Sequence, residues 1–278
     1  MPTANRVYVL TYHSQNIAGQ TYASNNHIAF ARDLLLLQEL GLEVISALEM
    51  ANAMRRGLFA SLPERCVVIT MDDGPLFDFE NTQAPPYGEQ ESMLNILRRQ
   101  HRKVLGLHLS RARCKATAFV IASGSAREQI AISMGNRDWM TGSWWRCAQQ
   151  TGYLDIGSHS WDHVHPAVAE MADHPELVEA FHRIDSHAEA ERQIAQASRD
   201  VQAVTRSDAA RLFAYPYGQT NAFLVREYLP RQKAVIAAFT TQPEPVTRNT
   251  GIWEIPRFVC GRDWQSEDQL RGLLQGVH

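Results

Sequence analysis

Two clusters in this 278-residue chain combine residue types and spacings suited to chemistry. The first is Thr70-Met71-Asp72-Asp73-Gly74, directly after the apolar run Cys66-Val67-Val68-Ile69. Two adjacent carboxylates at the end of a buried strand are costly unless positive charge lies beside them. A divalent metal on one, with the other left as a proton acceptor, would remove that cost. An Asx-type turn with Gly74 at positive φ would account for the same residues without any function. The second cluster is His159-Ser160-Trp161-Asp162-His163, after Asp155-Ile156-Gly157-Ser158. Histidines four apart share one face of a helical turn, so both imidazoles can reach one ion. His165 follows closely, either beside such a site or as a plain loop residue. Together Asp73, His159 and His163 would make a two-imidazole, one-carboxylate site with positions open to water and substrate, a hydrolase arrangement.

Two weaker candidates lie elsewhere. Phe213-Ala214-Tyr215-Pro216-Tyr217-Gly218 could form a rigid platform for a sugar ring, or simply a packed turn. Tyr12-His13-Ser14 ends the first apolar run, where a histidine could reach the same rim or serve as a hydrogen-bonded structural residue.

These residues need strands to carry them. Strands are expected at Val7–Thr11, Leu42–Ile45, Cys66–Met71, Lys115–Ile121, Gly152–Gly157, Arg211–Tyr215, Val235–Phe239 and Pro256–Cys260. Asn26 is expected to cap a helix with Ile28, Ala31, Leu34, Leu35 and Gln38 on one face, ending at Gly41. Further helices are expected around Leu48–Arg56, Glu91–His101 and His187–Val204, and Leu76–Gly88, with Pro85-Pro86, reads as a long loop. Alternating strands and helices point to parallel βαβ units, hence a barrel or a doubly wound sheet, in one domain spanning 1–278. In such folds chemistry gathers where strands end, and the candidates sit there.

Composition narrows the function classes. With 27 basic and 30 acidic side chains the formal charge is -3, which gives no general reason to bind nucleic acid or an anionic membrane. The four cysteines, Cys66, Cys114, Cys147 and Cys260, are too scattered for a zinc ribbon or a disulfide scaffold. No apolar run approaches membrane-spanning length, and Val7–Leu10 is too short for a signal-peptide core. The expectation is a soluble, cytoplasmic protein with free thiols.

The motifs in this order resemble the polysaccharide deacetylases, carbohydrate esterases of family 4 with a NodB-homology domain. Ile69-Thr70-Met71-Asp72-Asp73-Gly74 is similar to their T-F-D-D-G motif, Lys115-Ala116-Thr117-Ala118-Phe119-Val120 to their K-A-T-F-F-V strand, and Gly157-Ser158-His159-Ser160 to their G-S-H-T entry. The opening Leu10-Thr11-Tyr12-His13-Ser14 and the later Gly41-Leu42-Glu43-Val44-Ile45-Ser46 resemble the branch that contains poly-N-acetylglucosamine deacetylases. The resemblance runs from about Val7 to Leu270 and implies a distorted (β/α) barrel with about seven strands, similar to a TIM barrel. It implies Asp72 as general base; Asp73, His159 and His163 as ligands of a divalent metal, most simply Zn2+; and the Tyr217 N–H as an oxyanion donor, with Tyr215 and Pro216 in the same substrate-binding turn. The implied reaction is removal of N-acetyl or O-acetyl groups from an acetylated sugar or polysaccharide.

Three departures matter. The family's C-terminal L-x-H acid has no counterpart here, since His278 follows Gly276-Val277; in the permuted branch the early Y-H histidine takes that role, which assigns it to His13. The arginine that often opens the third motif and orients the catalytic aspartate is Ala214 here, and Arg257 in Ile255-Pro256-Arg257-Phe258 is the candidate replacement. The stretch from Pro75 to Gly88 is longer than the family norm and is expected to border the cleft and alter substrate choice. Competing readings are hydrolysis of another C–N bond, of the allantoinase or cyclic-imide type, and a carbohydrate-binding member of the fold that has lost activity. The histidines at 27, 101, 108, 174, 182, 187 and 278 need no function.

Overall fold

The structure, a computed structural model, describes residues 5–104 and 114–276; His108 and His278 lie outside them. Ten strands are present among the described residues. They are β1 (Arg6–Tyr12), β2 (Glu43–Ile45), β3 (Arg65–Met71), β4 (Thr82–Gln83), β5 (Glu89–Gln90), β6 (Ala116–Val120), β7 (Leu154–Ser158), β8 (Leu212–Ala214), β9 (Ala237–Phe239) and β10 (Phe258–Val259). Seven of them form one curled parallel sheet in the order β10-β1-β3-β6-β7-β8-β9. β2 pairs with Cys66–Val68 of β3, below the point where Thr70 and Met71 pair with β6. Ile255 exchanges hydrogen bonds with Ala238 and Thr240 beyond one edge, and Phe258 pairs with Leu10 of β1. The segment leading into β10 therefore lies against both β9 and β1, which draws the sheet into a distorted (β/α) barrel.

The strands read as continuous apolar runs because both faces are covered. Alternate side chains enter different layers: Val7, Val9, Cys66, Val68, Leu212 and Phe239 fill the barrel, while Leu10, Tyr12, Val67, Ile69 and Met71 lie under the helices. The helices are α1 (Asn26–Glu39), α2 (Ala47–Arg55), α3 (Met93–Val104), α4 (Gly124–Ser133), α5 (Trp145–Gln150), α6 (His187–Ala190), α7 (Ala197–Thr205) and α8 (Glu267–Gln275). A π-turn, Glu191–Gln196, joins α6 to α7, so the helix expected over 187–204 is present as three continuous pieces. No helix among the described residues is long and apolar enough to cross a membrane. The four cysteines form no disulfide.

Three local expectations are corrected. Asn25, not Asn26, caps α1, its side chain accepting from the His27 N–H. The buried face of α1 is Phe30, Asp33, Leu34 and Leu37, and Leu35 is 49% exposed. The helix was misphased because Asp33 is polar yet belongs to the core. The stretch 76–88 is not structureless either: a 3-10 turn at Leu76–Asp78 and the antiparallel β4–β5 pair order it.

Asp33 accepts from the Tyr12 hydroxyl at 2.9 Å, the Trp264 indole at 3.2 Å and the Tyr22 hydroxyl. Burial pushes its carboxyl up to about 6, although the three donors pull the other way. A carboxyl raised in the folded state contributes stability that is full below the unfolded value near 4 and is lost as pH rises through 6. Urea unfolding between pH 4 and 7 should show the wild type losing on the order of 3 kcal/mol relative to Asp33→Asn, whose neutral side chain has no such titration. Parallel pH profiles for the two proteins would contradict this.

Candidate active site

Because all the barrel strands run the same way, their C-terminal ends share one rim. β1 delivers His13, β3 delivers Asp72 and Asp73, β7 delivers His159, β8 leads into Tyr215–Gly218, and Arg257 precedes β10. The Asp72 N–H donates to the Tyr12 carbonyl at 3.1 Å, which continues the β1–β3 pairing to the first carboxylate. The backbone then turns through two left-handed residues, Asp73 at φ 73° and Gly74 at φ 69°. A Cβ on Gly74 would lie 2.6 Å from Val120 Cγ1 and 3.0 Å from its Cα. Left-handed backbone and a β6 strand pressed against it both require glycine. Gly74→Ala should therefore cost roughly 2–5 kcal/mol in urea unfolding; a loss under about 0.5 kcal/mol would contradict that close approach.

Asp72 is buried, and Arg257 grips it bidentately, Nη1 to Oδ1 and Nη2 to Oδ2, both at 2.7 Å. Arg257 is itself fully buried and also donates to the Thr240 carbonyl at 2.9 Å and the Thr70 hydroxyl at 3.3 Å. Burial opposes charge on Asp72, but the Arg257 guanidinium and His159 outweigh it and hold the carboxyl below the usual range.

His159 donates from Nδ1 to the Ala214 carbonyl at 2.8 Å, so its Nε2 faces the carboxylates, 3.5 Å from Asp73 Oδ1. His163 Nε2 lies 3.4 Å from the same oxygen. The two rings do not meet through a helical turn, as their spacing suggests. The segment is a loop in which Ser160, His163 and Val164 are left-handed, at φ 71°, 63° and 43°. Ser160 Oγ accepts from the His163 N–H, and Asp162 Oδ1 accepts from the Val164 N–H and from Gln193, each at 2.9 Å. Such backbone persists only where its surroundings over-determine it, and it gathers at functional sites.

One ligand atom from each of Asp73, His159 and His163 lies within 4.8 Å of the other two. Two imidazole nitrogens and one carboxylate oxygen at that separation fit a divalent cation. These groups titrate together: burial would lower His159, but Asp72 and Asp73 raise it, so a cation there would displace its Nε2 proton. Burial would raise Asp73, but its hydrogen bond with His159 and the charges of His163 and His13 hold it well down. Burial, and then the charge of His159, pushes His163 down to about 3, so at neutral pH the ring is neutral and has one nitrogen able to donate a lone pair.

The remaining candidates divide. His13 is half-buried, its N–H donating to Asn26 Oδ1 at 2.9 Å, and it is close enough for its charge to bear on both Asp72 and Asp73. Tyr217 is left-handed at φ 56°, 37% exposed, and its ring meets His163 edge-on at 4.5 Å between centroids. Tyr215 and Pro216 are buried, with the Tyr215 hydroxyl donating to the Trp253 carbonyl, so they support the turn from below and present no platform. The His165 ring lies 6.3 Å from that of His163. Two groups carried no sequence signal, being ordinary polar residues in loops. Gln15 Nε2 donates to Asp73 Oδ2, and the buried Asp78 accepts from the Ser14 hydroxyl at 2.6 Å. Burial, reinforced by the charges of Asp73 and Asp72, pushes the Asp78 carboxyl well above the usual range. Asp78 lies in the long segment after Gly74, which therefore packs against this rim.

A family model described as polysaccharide deacetylase matches residues 60–230. Solved structures share the fold. The Streptococcus pyogenes deacetylase PplD, in complex with acetate, is 16% identical over 98% of this chain and 99% of that chain, with a TM-score of 0.66. A de-N-acetylase from Aggregatibacter actinomycetemcomitans is 16% identical over 97% and 100%, with a TM-score of 0.61. The BpsB deacetylase domain from Bordetella bronchiseptica is 17% identical over 92% and 96%, with a TM-score of 0.58. No curated protein matches the chain.

Proposed function

The chain belongs to the polysaccharide deacetylase family, and from that premise we propose that it hydrolyses N-acetyl groups of an acetylated carbohydrate, acting as one catalytic domain. The observation that carries this reading is the convergence of Asp73, His159 and His163 beside a second carboxylate, Asp72, held ionised by a buried arginine. Asp73, His159 and His163 would hold the cation, and this mixed nitrogen and oxygen donor set suits Zn2+. When bound, such an ion supplies Lewis acidity, lowering the pKa of water and polarising a carbonyl.

The chain's own groups then have distinct tasks. Asp72 accepts a proton from the attacking water as the new C–O bond forms; Arg257 occupies one lone pair on each of its oxygens and leaves others free. The Tyr217 N–H donates to the oxygen that gains charge on the acetyl carbon. His13 gives a proton to the amine nitrogen as the C–N bond breaks, because an unprotonated amide anion is too basic to leave. The products are acetate and a free amino sugar. The test is acetate release from N-acetylglucosamine oligomers by the purified protein, abolished by chelator and restored by added zinc. Absence of release under all three conditions would refute the reading.

A further inference from the structure

His159 and His163 both approach Asp73, but their rings are fixed differently. His159 is oriented by its own Nδ1, which donates to the Ala214 carbonyl. The His163 Nδ1 is buried and has no hydrogen-bond partner among the described residues. A metal-binding imidazole is normally oriented by a hydrogen bond from its other nitrogen. Without one, the direction of the His163 ring rests on the backbone that carries it. That backbone is left-handed at Ser160, His163 and Val164, none of them glycine, so its surroundings must hold it there.

Two elements do so. Beyond β6, the Ala122 and Ser123 N–H groups donate to the Ser160 and Trp161 carbonyls at 3.0 and 2.8 Å, which fixes the entry to the loop. The π-turn Glu191–Gln196 supplies the other grip, with two successive residues touching two successive residues of the loop. Arg192 lies over the Trp161 ring, 6.0 Å from its centroid, and Gln193 Nε2 donates to Asp162 Oδ1 at 2.9 Å. The same oxygen accepts from the Val164 N–H, so it ties Gln193 to the residue directly after His163. Gln193 and Asp162 are both buried, which keeps water from competing for the bond. π-turns inside helices gather at functional sites, and this one has a task that fits.

We propose that Gln193 is a positioning residue for the metal centre: acting through Asp162, it holds the loop that presents His163 to the cation. This deepens the deacetylase reading and rests on its metal site. Without the Gln193 donor, Asp162 Oδ1 keeps only the Val164 N–H, and the loop can relax out of its left-handed conformation. His163 then spends less time where the cation needs it. Asp73 and His159 directly follow β3 and β7 and stay in place. The loss is therefore that of one ligand's orientation, smaller than the loss of the ring itself.

The experiment measures zinc affinity by competition with a chelating dye, at a temperature where every metal-free protein is folded. It compares wild type, Gln193→Met, Asp162→Ala, the double variant of these two, and Asp162→Asn. Gln193→Met keeps a long side chain but loses the donor, and should weaken zinc binding about tenfold, the low end for outer partners of metal ligands. Asp162→Ala should lose at least as much. The double variant should be no weaker than Asp162→Ala, because two residues acting through one bond do not add. Asp162→Asn keeps an oxygen that accepts both bonds and should bind zinc as the wild type does. If Gln193→Met melts lower yet binds zinc normally, Gln193 serves only the packing and the proposal is overturned. Additive losses overturn it too, and so does Asp162→Asn as weak as Asp162→Ala, since charge would then carry the effect. Should Gln193→Met not fold, Gln193→Asn, one methylene short of Asp162, replaces it with the same expected loss. A wild type that binds zinc beside unaffected variants leaves the deacetylase reading standing. A wild type that binds no zinc overturns the metal site and the proposal with it.

Discussion

Asp72→Asn is expected to lower acetate release by about 10²- to 10⁴-fold, the range lost with a positioned general base, while the protein still binds metal at Asp73, His159 and His163. The amide keeps the shape of the carboxylate but cannot take a proton from water. One complication is built into the site: Arg257 is fully buried and pairs with both Asp72 oxygens. Neutralising one partner of a buried ion pair leaves an uncompensated charge and typically costs 3–5 kcal/mol, so the single variant should also unfold more easily. The double variant Asp72→Asn, Arg257→Met separates the two effects. It removes the stranded charge and should recover much of the stability, yet remain as inactive as the single variant. Activity returning with stability would show that Asp72 serves the fold and that another group is the base.

His163→Ala should weaken divalent-cation binding by a hundredfold or more, read by competition with a chelating dye. Outer-sphere partners of metal ligands already cost about 10- to 100-fold when removed, and a ligand must cost at least as much. His163 is the cleanest of the three positions to change. Its Nδ1 makes no hydrogen bond within the protein, whereas removing His159 would also orphan the Ala214 carbonyl. The ring is buried against His159 and Tyr217, so the metal-free variant should also melt somewhat lower, and the affinity is read at a temperature where both proteins are folded. Unchanged cation affinity would remove His163 from the ligand set and with it the proposed metal centre.

Legibility from sequence varied with the range of the interaction that placed each residue. Asp72, Asp73, His159 and His163 stood out because ionisable groups directly after apolar runs are costly and therefore informative. The strands carrying them were readable for the same reason: parallel strands covered on both faces are unbroken runs of Val, Ile and Leu. The face of α1 was misread because Asp33 and His27, both polar, are buried. The histidine pair converges on Asp73 through left-handed turns at Ser160, His163 and Val164 and not through a helical turn, since such turns leave no signature when no glycine marks them. Tyr215 and Tyr217 look alike in sequence, yet one is core and the other half-exposed at the rim.

By itself the sequence determined which chemistries were available and in which order the strands would present them, because residue type and local periodicity are properties of neighbouring positions. The tertiary structure decided the geometry in which groups meet, and it added partners that carried no sequence signal. Arg257 reaches Asp72 across 185 positions and Gln15 reaches Asp73 across 58. The physical reason is the parallel sheet: it brings all its C-terminal ends to one rim, and burial there makes each charge depend on whichever distant partner the barrel places against it.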